Sequence, residues 1–126
     1  MRKYILSLPW LLAALLAGCA GKLTNLTPQY QVRNANGLYP VAVALQTRQQ
    51  SLRWDSIKPY VIVGDQAYLM RPMPYLSNRW ETLVPVPAGQ KSLHYQYKLD
   101  WQYNAIPEPR NDSVISPQQT LTIMDR

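Results

Sequence analysis

The chain has no phenylalanine, one cysteine, one histidine and five glycines in 126 residues. Each shortage excludes something. The lone thiol, Cys19, cannot form an internal disulfide, so packing alone must hold the fold, and the Cys, Trp, Cys spacing of antibody-type domains is missing. A single histidine, His94, leaves no Ser/His/Asp or Cys/His set for nucleophilic catalysis. The acidic residues Asp55, Asp65, Glu81, Asp100, Glu108, Asp112 and Asp125 are spread singly, which gives no metal-ligand spacing. So few glycines supply no phosphate-cradling loop. Paired carboxylates for glycoside hydrolysis are the one catalytic arrangement that spacing leaves open, because folding can join distant acids. The expectation is a non-enzymatic protein without metal or cofactor.

What is present begins at the N-terminus. Arg2 and Lys3 precede an apolar run from Tyr4 to Ala17, too short to span a bilayer and built like a secretory leader, for which a helix is expected. The run Leu16-Ala17-Gly18-Cys19 follows. It resembles the lipobox of bacterial lipoprotein precursors, and the resemblance implies removal of residues 1–18 and acylation of Cys19. Two or three acyl chains anchor a protein durably where one holds it only marginally. Ala20 stands where lipoproteins retained at the inner membrane commonly carry Asp, so the same resemblance favours the outer membrane. The implied location is the cell envelope, with the membrane as a partner through the lipid.

Thirteen Lys/Arg stand against seven Asp/Glu, and loss of Arg2 and Lys3 with the leader turns a formal charge of +6 into +4. These charges are scattered, with no basic block and no nucleic-acid module, so nucleic acid is not an expected partner. Residues 19–28 read as a polar, lipidated tether and residues 29–126 as one domain.

Within that domain nearly every periodic segment alternates with period two. Strands are expected at Tyr30–Arg33, Leu38–Thr47, Ile57–Val63, Gln66–Met70, Arg79–Val86, Ser92–Tyr103 and Gln119–Met124. The pair Gly64-Asp65 suggests a tight hairpin. Pro40, Pro59 and Pro85 fall inside strands, where the missing N–H implies edge strands or bulges. About seven strands with a turn every eight to twelve residues is the pattern of an immunoglobulin-like β-sandwich, so the fold class is all-β.

The segment Leu93 to Tyr103 places Leu, Tyr, Tyr, Leu, Trp and Tyr on one face and His, Gln, Lys, Asp and Gln on the other. At ~3.3 Å per residue it is roughly 36 Å long, more than a small sandwich is expected to cover. Tyr95, Tyr97 and Leu99 are therefore assigned to the core, and Trp101 and Tyr103 to an exposed or partly covered patch beside the loop from Asn104 to Pro117. Arg71 to Asn78 supplies a second candidate surface, with two prolines holding Met73, Tyr75 and Leu76. Two readings stand for those three: a protein contact, or a cover over an open end of the core.

The run "RWETLVPVPAGQKSLHYQYKLD" is similar to the strand, turn, strand segment of starch- and glycogen-binding modules. That likeness implies an alternative in which Trp54, Trp80 or Trp101 stacks on a glycan. The favoured expectation is a lipoprotein that contacts another envelope protein.

Overall fold

The structure, a computed structural model, describes residues 21 to 125. The expected leader helix, the cleavage site and Cys19 lie outside the described residues. Ten strands form: β1 (Lys22–Asn25), β2 (Tyr30–Val32), β3 (Leu38–Gln46), β4 (Leu52–Val63), β5 (Gln66–Leu69), β6 (Arg71–Pro72), β7 (Arg79–Pro85), β8 (Ser92–Tyr103), β9 (Arg110–Ile115) and β10 (Gln119–Met124). They make two sheets, one ordered β1-β3-β7-β6 and the other β2-β10-β8-β4-β5 with β9 also on β8. The described residues contain no helix, and the expected all-β sandwich is the fold found.

The alternating rows of the sequence meet between the sheets. Tyr39, Val41, Val43 and Leu45 of β3, with Trp80 and Val84 of β7, face Val61 of β4, Leu121 and Ile123 of β10, and the inner row of β8. Full burial of each such side chain contributes roughly 1.5–3 kcal/mol, and with no disulfide this interior carries the stability.

Three strands exceed the expected seven. β1 pairs with β3, Lys22 opposite Gln46 through Asn25 opposite Val43, so the sandwich starts inside the segment read as a tether. Its two leucines, Leu23 and Leu26, do not alternate, so no period-two signal marks this strand. β9 lies within the expected loop, antiparallel to β8 from Lys98/Ile115 to Tyr103/Arg110. β6 is a two-residue pairing within the proline-rich connection, Arg71 with Glu81 and Pro72 with Trp80.

β9 explains how twelve residues of β8 are covered. β4 runs along one side of β8, while the other side is shared: β10 pairs with Ser92–Tyr95 and β9 with Lys98–Tyr103. At Tyr97, between the two, Ser116 bridges the join. Its Oγ accepts from the Tyr97 amide at 2.8 Å, and its own amide donates to the Tyr97 carbonyl at 2.8 Å.

Of the two expectations, edge strand or bulge, the first is not met: the prolines sit in interior strands, at points where the neighbouring strand has stopped, and Pro59 directly follows the register shift of β4. Pro40 pairs with Leu83 on one side, beyond the reach of β1, which covers only Val43 to Gln46. Pro59 lies just past the end of β5, its carbonyl accepting from the Met70 amide at 2.9 Å, so no ladder partner is lost on that side. The hairpin at Gly64-Asp65 joins Val63 to Gln66 directly, with Gly64 at φ 61° in the first loop position.

Candidate functional site

The outer face of the larger sheet departs from the polar surface that a half-buried antiparallel sheet usually shows to water. Register brings Leu69 of β5 beside Tyr60 of β4, Tyr60 beside Lys98 of β8, and Lys98 beside Ile115 of β9. Leu69 is 61% exposed and Ile115 is 56% exposed. The row therefore presents apolar surface across four strands, interrupted only by the lysine, whose methylene stem can lie along it.

Below this row is a polar groove of ≈ 700 Å³, lined chiefly by Ser56, Lys58, Tyr60, Asp100, Gln102, Asn111 and Ser113. A bulge shapes it. β4 and β8 are in register at Arg53/Gln102 and again at Lys58/Asp100, so Trp54 to Ile57 face a single residue of β8. Such an insertion bends the strand and redirects its side chains. Ser56 closes it, its Oγ accepting from the Gln102 amide at 2.8 Å and donating to the Arg53 carbonyl at 2.6 Å. Trp54 rides on the bulge and is 45% exposed.

Lys58 is the register partner of Asp100, and Asp100 also lies 3.7 Å from the Lys98 ammonium. Both groups of the latter pair are well solvated, so it contributes at most about 1 kcal/mol and leaves the carboxylate free to accept from a ligand. The groove thus offers ammonium, carboxylate, amide, hydroxyl and one phenol. Such groups are able to hydrogen-bond a polar surface of either protein or sugar.

The interior has its own polar cluster. The Tyr97 hydroxyl, inside the sandwich on β8, lies 2.7 Å from Thr27 Oγ1 and donates to Asn25 Oδ1 at 2.7 Å. The Asn25 amide donates to the Tyr95 hydroxyl at 3.0 Å, and Thr27 Oγ1 accepts from the Ala42 amide at 2.9 Å. Here the chain leaves β1 in one sheet to become β2 in the other, and the tyrosines reach across to satisfy it. Burial pushes the Tyr97 phenol well above its ordinary range, so it is a neutral strut. At the far end, Arg33 and Asp125 pair at 2.6 Å on the surface; this hydrogen bond raises the guanidinium and lowers the carboxyl.

The sequence-derived candidates separate. Trp101 is 2% exposed, with its ring N–H donating to Gln49 Oε1 at 3.1 Å, and Trp80 is 5% exposed. Both were named for glycan stacking in the alternative reading, Trp101 also for a contact surface, and both are core: Gln49 of the β3–β4 connection caps the Trp101 ring, and Trp80, opposite Val43 on β7, points between the sheets. Tyr103, expected with Trp101 in an exposed or partly covered patch, is half-buried. Tyr75 is fully exposed in the left-handed region, φ 65°, Leu76 is exposed and Met73 half-buried. Only Trp54 of the three tryptophans named for glycan stacking reaches solvent. His94 is exposed, its Nδ1 3.0 Å from Thr120 Oγ1. Among the described residues no three His, Cys, Asp or Glu come close enough to hold a metal ion, and no helix is long and apolar enough to cross a membrane.

The row of Leu69, Tyr60 and Ile115 was missed. Ile115 fell in a supposed loop, and only the β-branched pair Val114-Ile115 after the prolines hinted at a strand there. No protein-family model matches the chain, and no curated protein matches it significantly.

Proposed function

We propose that the protein is a lipid-anchored module of the cell envelope, held at a membrane through Cys19, that binds another envelope protein with the outer face of its larger sheet. One observation carries the binding role: Leu69, Tyr60, Lys98 and Ile115 are consecutive cross-strand neighbours on a solvent-facing sheet. Exposed apolar side chains rimmed by polar groups mark an interaction site, and the groove of Ser56, Lys58, Asp100 and Asn111 supplies that rim. The anchor is supported by the lipobox Leu16-Ala17-Gly18-Cys19, and the outer membrane by Ala20.

A photoreactive side chain at position 69 or 115 of the full-length protein should crosslink one discrete envelope protein in living cells. The same probe at Asp65 should not. Ile115→Glu in the Leu69-labelled chain should abolish that adduct. Equal labelling from all three positions, or an adduct indifferent to Ile115→Glu, overturns the reading.

A second reading, glycan binding, is favoured by Trp54 beside a groove that carries the amides and carboxylate sugars require. It predicts a Trp54 fluorescence shift with an envelope or storage glycan, and no shift across such a panel removes it.

A further inference from the structure

One end of the sandwich gathers features that the sheet-face reading does not use. β3 ends at Gln46 and β4 begins at Leu52, β7 begins at Arg79 opposite Ala44, and β8 ends at Tyr103 opposite Arg110 of β9. Three connections therefore share this end: residues 47–51, 73–78 and 104–109. The chain also enters here, since Lys22 is opposite Gln46.

The charge on this end is one-sided. Exposed Lys22, Arg48, Arg53, Arg79 and Arg110 stand against Asp55, Glu108 and the half-buried Asp112. The opposite end balances Arg33 and Lys91 against Asp65 and Asp125. Apolar side chains project from the same cationic end: Tyr75, fully exposed, and Ile106, at 94%, have no cover, and Leu76 and Trp54 are partly exposed beside them.

The distance to Cys19 is short. Gly21 is already against the domain: a Cβ there would meet Leu45 Cδ1 at 3.1 Å and the Gln46 carbonyl at 3.3 Å. Two residue steps separate it from Cys19, a reach of at most roughly 7 Å. An acyl chain on Cys19 brings this end of the domain, and no other, to the bilayer.

We infer that the end carrying Tyr75, Leu76 and Ile106 seats on an anionic phospholipid surface, with the aromatic and aliphatic tips in the headgroup layer and the surrounding arginines at the phosphates. The inference rests on the reading of Cys19 as the anchor. A lipid surface fits these groups because Tyr and Trp favour the membrane interface, and because basic groups within a Debye length of anionic lipid are attracted to it. The seat fixes the orientation of the whole domain. The strands then rise from the membrane, and the row of Leu69 and Ile115 stands clear of it for a partner.

The test uses the full-length protein purified from cell membranes, with mass spectrometry reporting whether Cys19 is acylated. In vesicles of phosphatidylethanolamine and phosphatidylglycerol containing headgroup spin-labelled lipid, Trp54 and a Tyr75→Trp variant should be quenched at least threefold more than an Asp65→Trp variant in a Trp54→Phe background. Arg48→Glu with Arg79→Glu should lower that ratio toward one. Equal quenching at the two ends of acylated protein overturns the seat while leaving the anchor intact. If Cys19 carries no lipid, the anchor reading fails, and salt-sensitive sedimentation with the same vesicles decides the surface alone: its presence supports the seat and its absence overturns it.

Discussion

The hydroxyl of Tyr97, on the central strand of the larger sheet, donates to Oδ1 of Asn25, the last residue of the first strand of the smaller sheet, at 2.7 Å. This contact stands at the point where the chain changes sheets, and it accounts for the choice of tyrosine over phenylalanine in a buried row. The sheet-changing residues Leu26 to Gln29 leave the ladder, so Ala42 must find partners elsewhere. Leu26 donates its amide to the Ala42 carbonyl at 2.9 Å, and Thr27 Oγ1 takes the Ala42 amide. A phenyl ring would fill the same space with no group to finish the network. The aromatic stripe of β8 is therefore a core that also secures the crossing strand.

Tyr97→Phe should keep the fold and lower its stability. It leaves Thr27 and Asn25 short of a buried partner, which costs about 1–3 kcal/mol. Urea unfolding followed by far-UV circular dichroism measures the loss. Asn25→Ala should cost a similar amount, and the double variant less than the sum, because both substitutions break one network. Strict additivity would show that the two residues act apart.

Alkaline pH should weaken the protein through the same hydroxyl. Burial raises the Tyr97 phenol in the folded state above its unfolded value near 10. Stability from keeping it neutral is complete below about pH 10 and is lost as pH rises toward the folded value, at up to about 1.4 kcal/mol per pH unit. Unfolding at pH 9 and pH 11 should show this slope in the wild type. Relative to it, Tyr97→Phe should show a shallower decline.

The all-β class and seven strands were legible because period-two alternation survives wherever one face is buried. Tyr39, Val41, Val43 and Leu45 form such a row, and all four are core. The reading failed where a strand's cover comes from residues without that signal. β9 is "RNDSVI", four polar residues before two apolar ones, so nothing announced that it would fold back over the end of β8. Trp101, expected in an exposed or partly covered patch, is therefore core, while Tyr103 beside it is the partly covered member. The candidate binding row failed to show for a related reason: Leu69, Tyr60, Lys98 and Ile115 are adjacent only through register across four strands, and no spacing along the chain encodes that.

Trp54 should be the one tryptophan of the folded domain that an aqueous quencher reaches. Trp80 and Trp101 are in the core, whereas Trp54 stands on the bulge. Acrylamide should quench a blue-shifted fraction weakly and a red-shifted fraction strongly, and Trp54→Phe should remove the second. Trp101→Ala should cost about 3–5 kcal/mol, the range for a buried ring of this size, and would also leave Gln49 Oε1 without its donor. A cost below about 1 kcal/mol would mean that the end of β8 is open after all.

Ser56 offers the sharpest local test of how the groove is built. Its Oγ occupies the place of a missing ladder partner for the Gln102 amide, at 2.8 Å, while the four residues of the bulge stand opposite Trp101 alone. Ser56→Ala removes that acceptor and the donor to the Arg53 carbonyl at 2.6 Å. Because the site borders solvent, water replaces part of the loss, and global stability should fall by only about 0.5–1.5 kcal/mol. Hydrogen exchange at the Gln102 amide should accelerate far more than that of Tyr97, whose amide is held by Ser116 and does not depend on the bulge. If the groove binds a ligand through Lys58, Asp100 and Asn111, the same substitution should weaken binding without unfolding the domain, since the bulge sets where Lys58 stands relative to Asp100. Uniform acceleration of exchange along β8 would instead show that Ser56 secures the sheet as a whole, and that the groove is a by-product of the bulge.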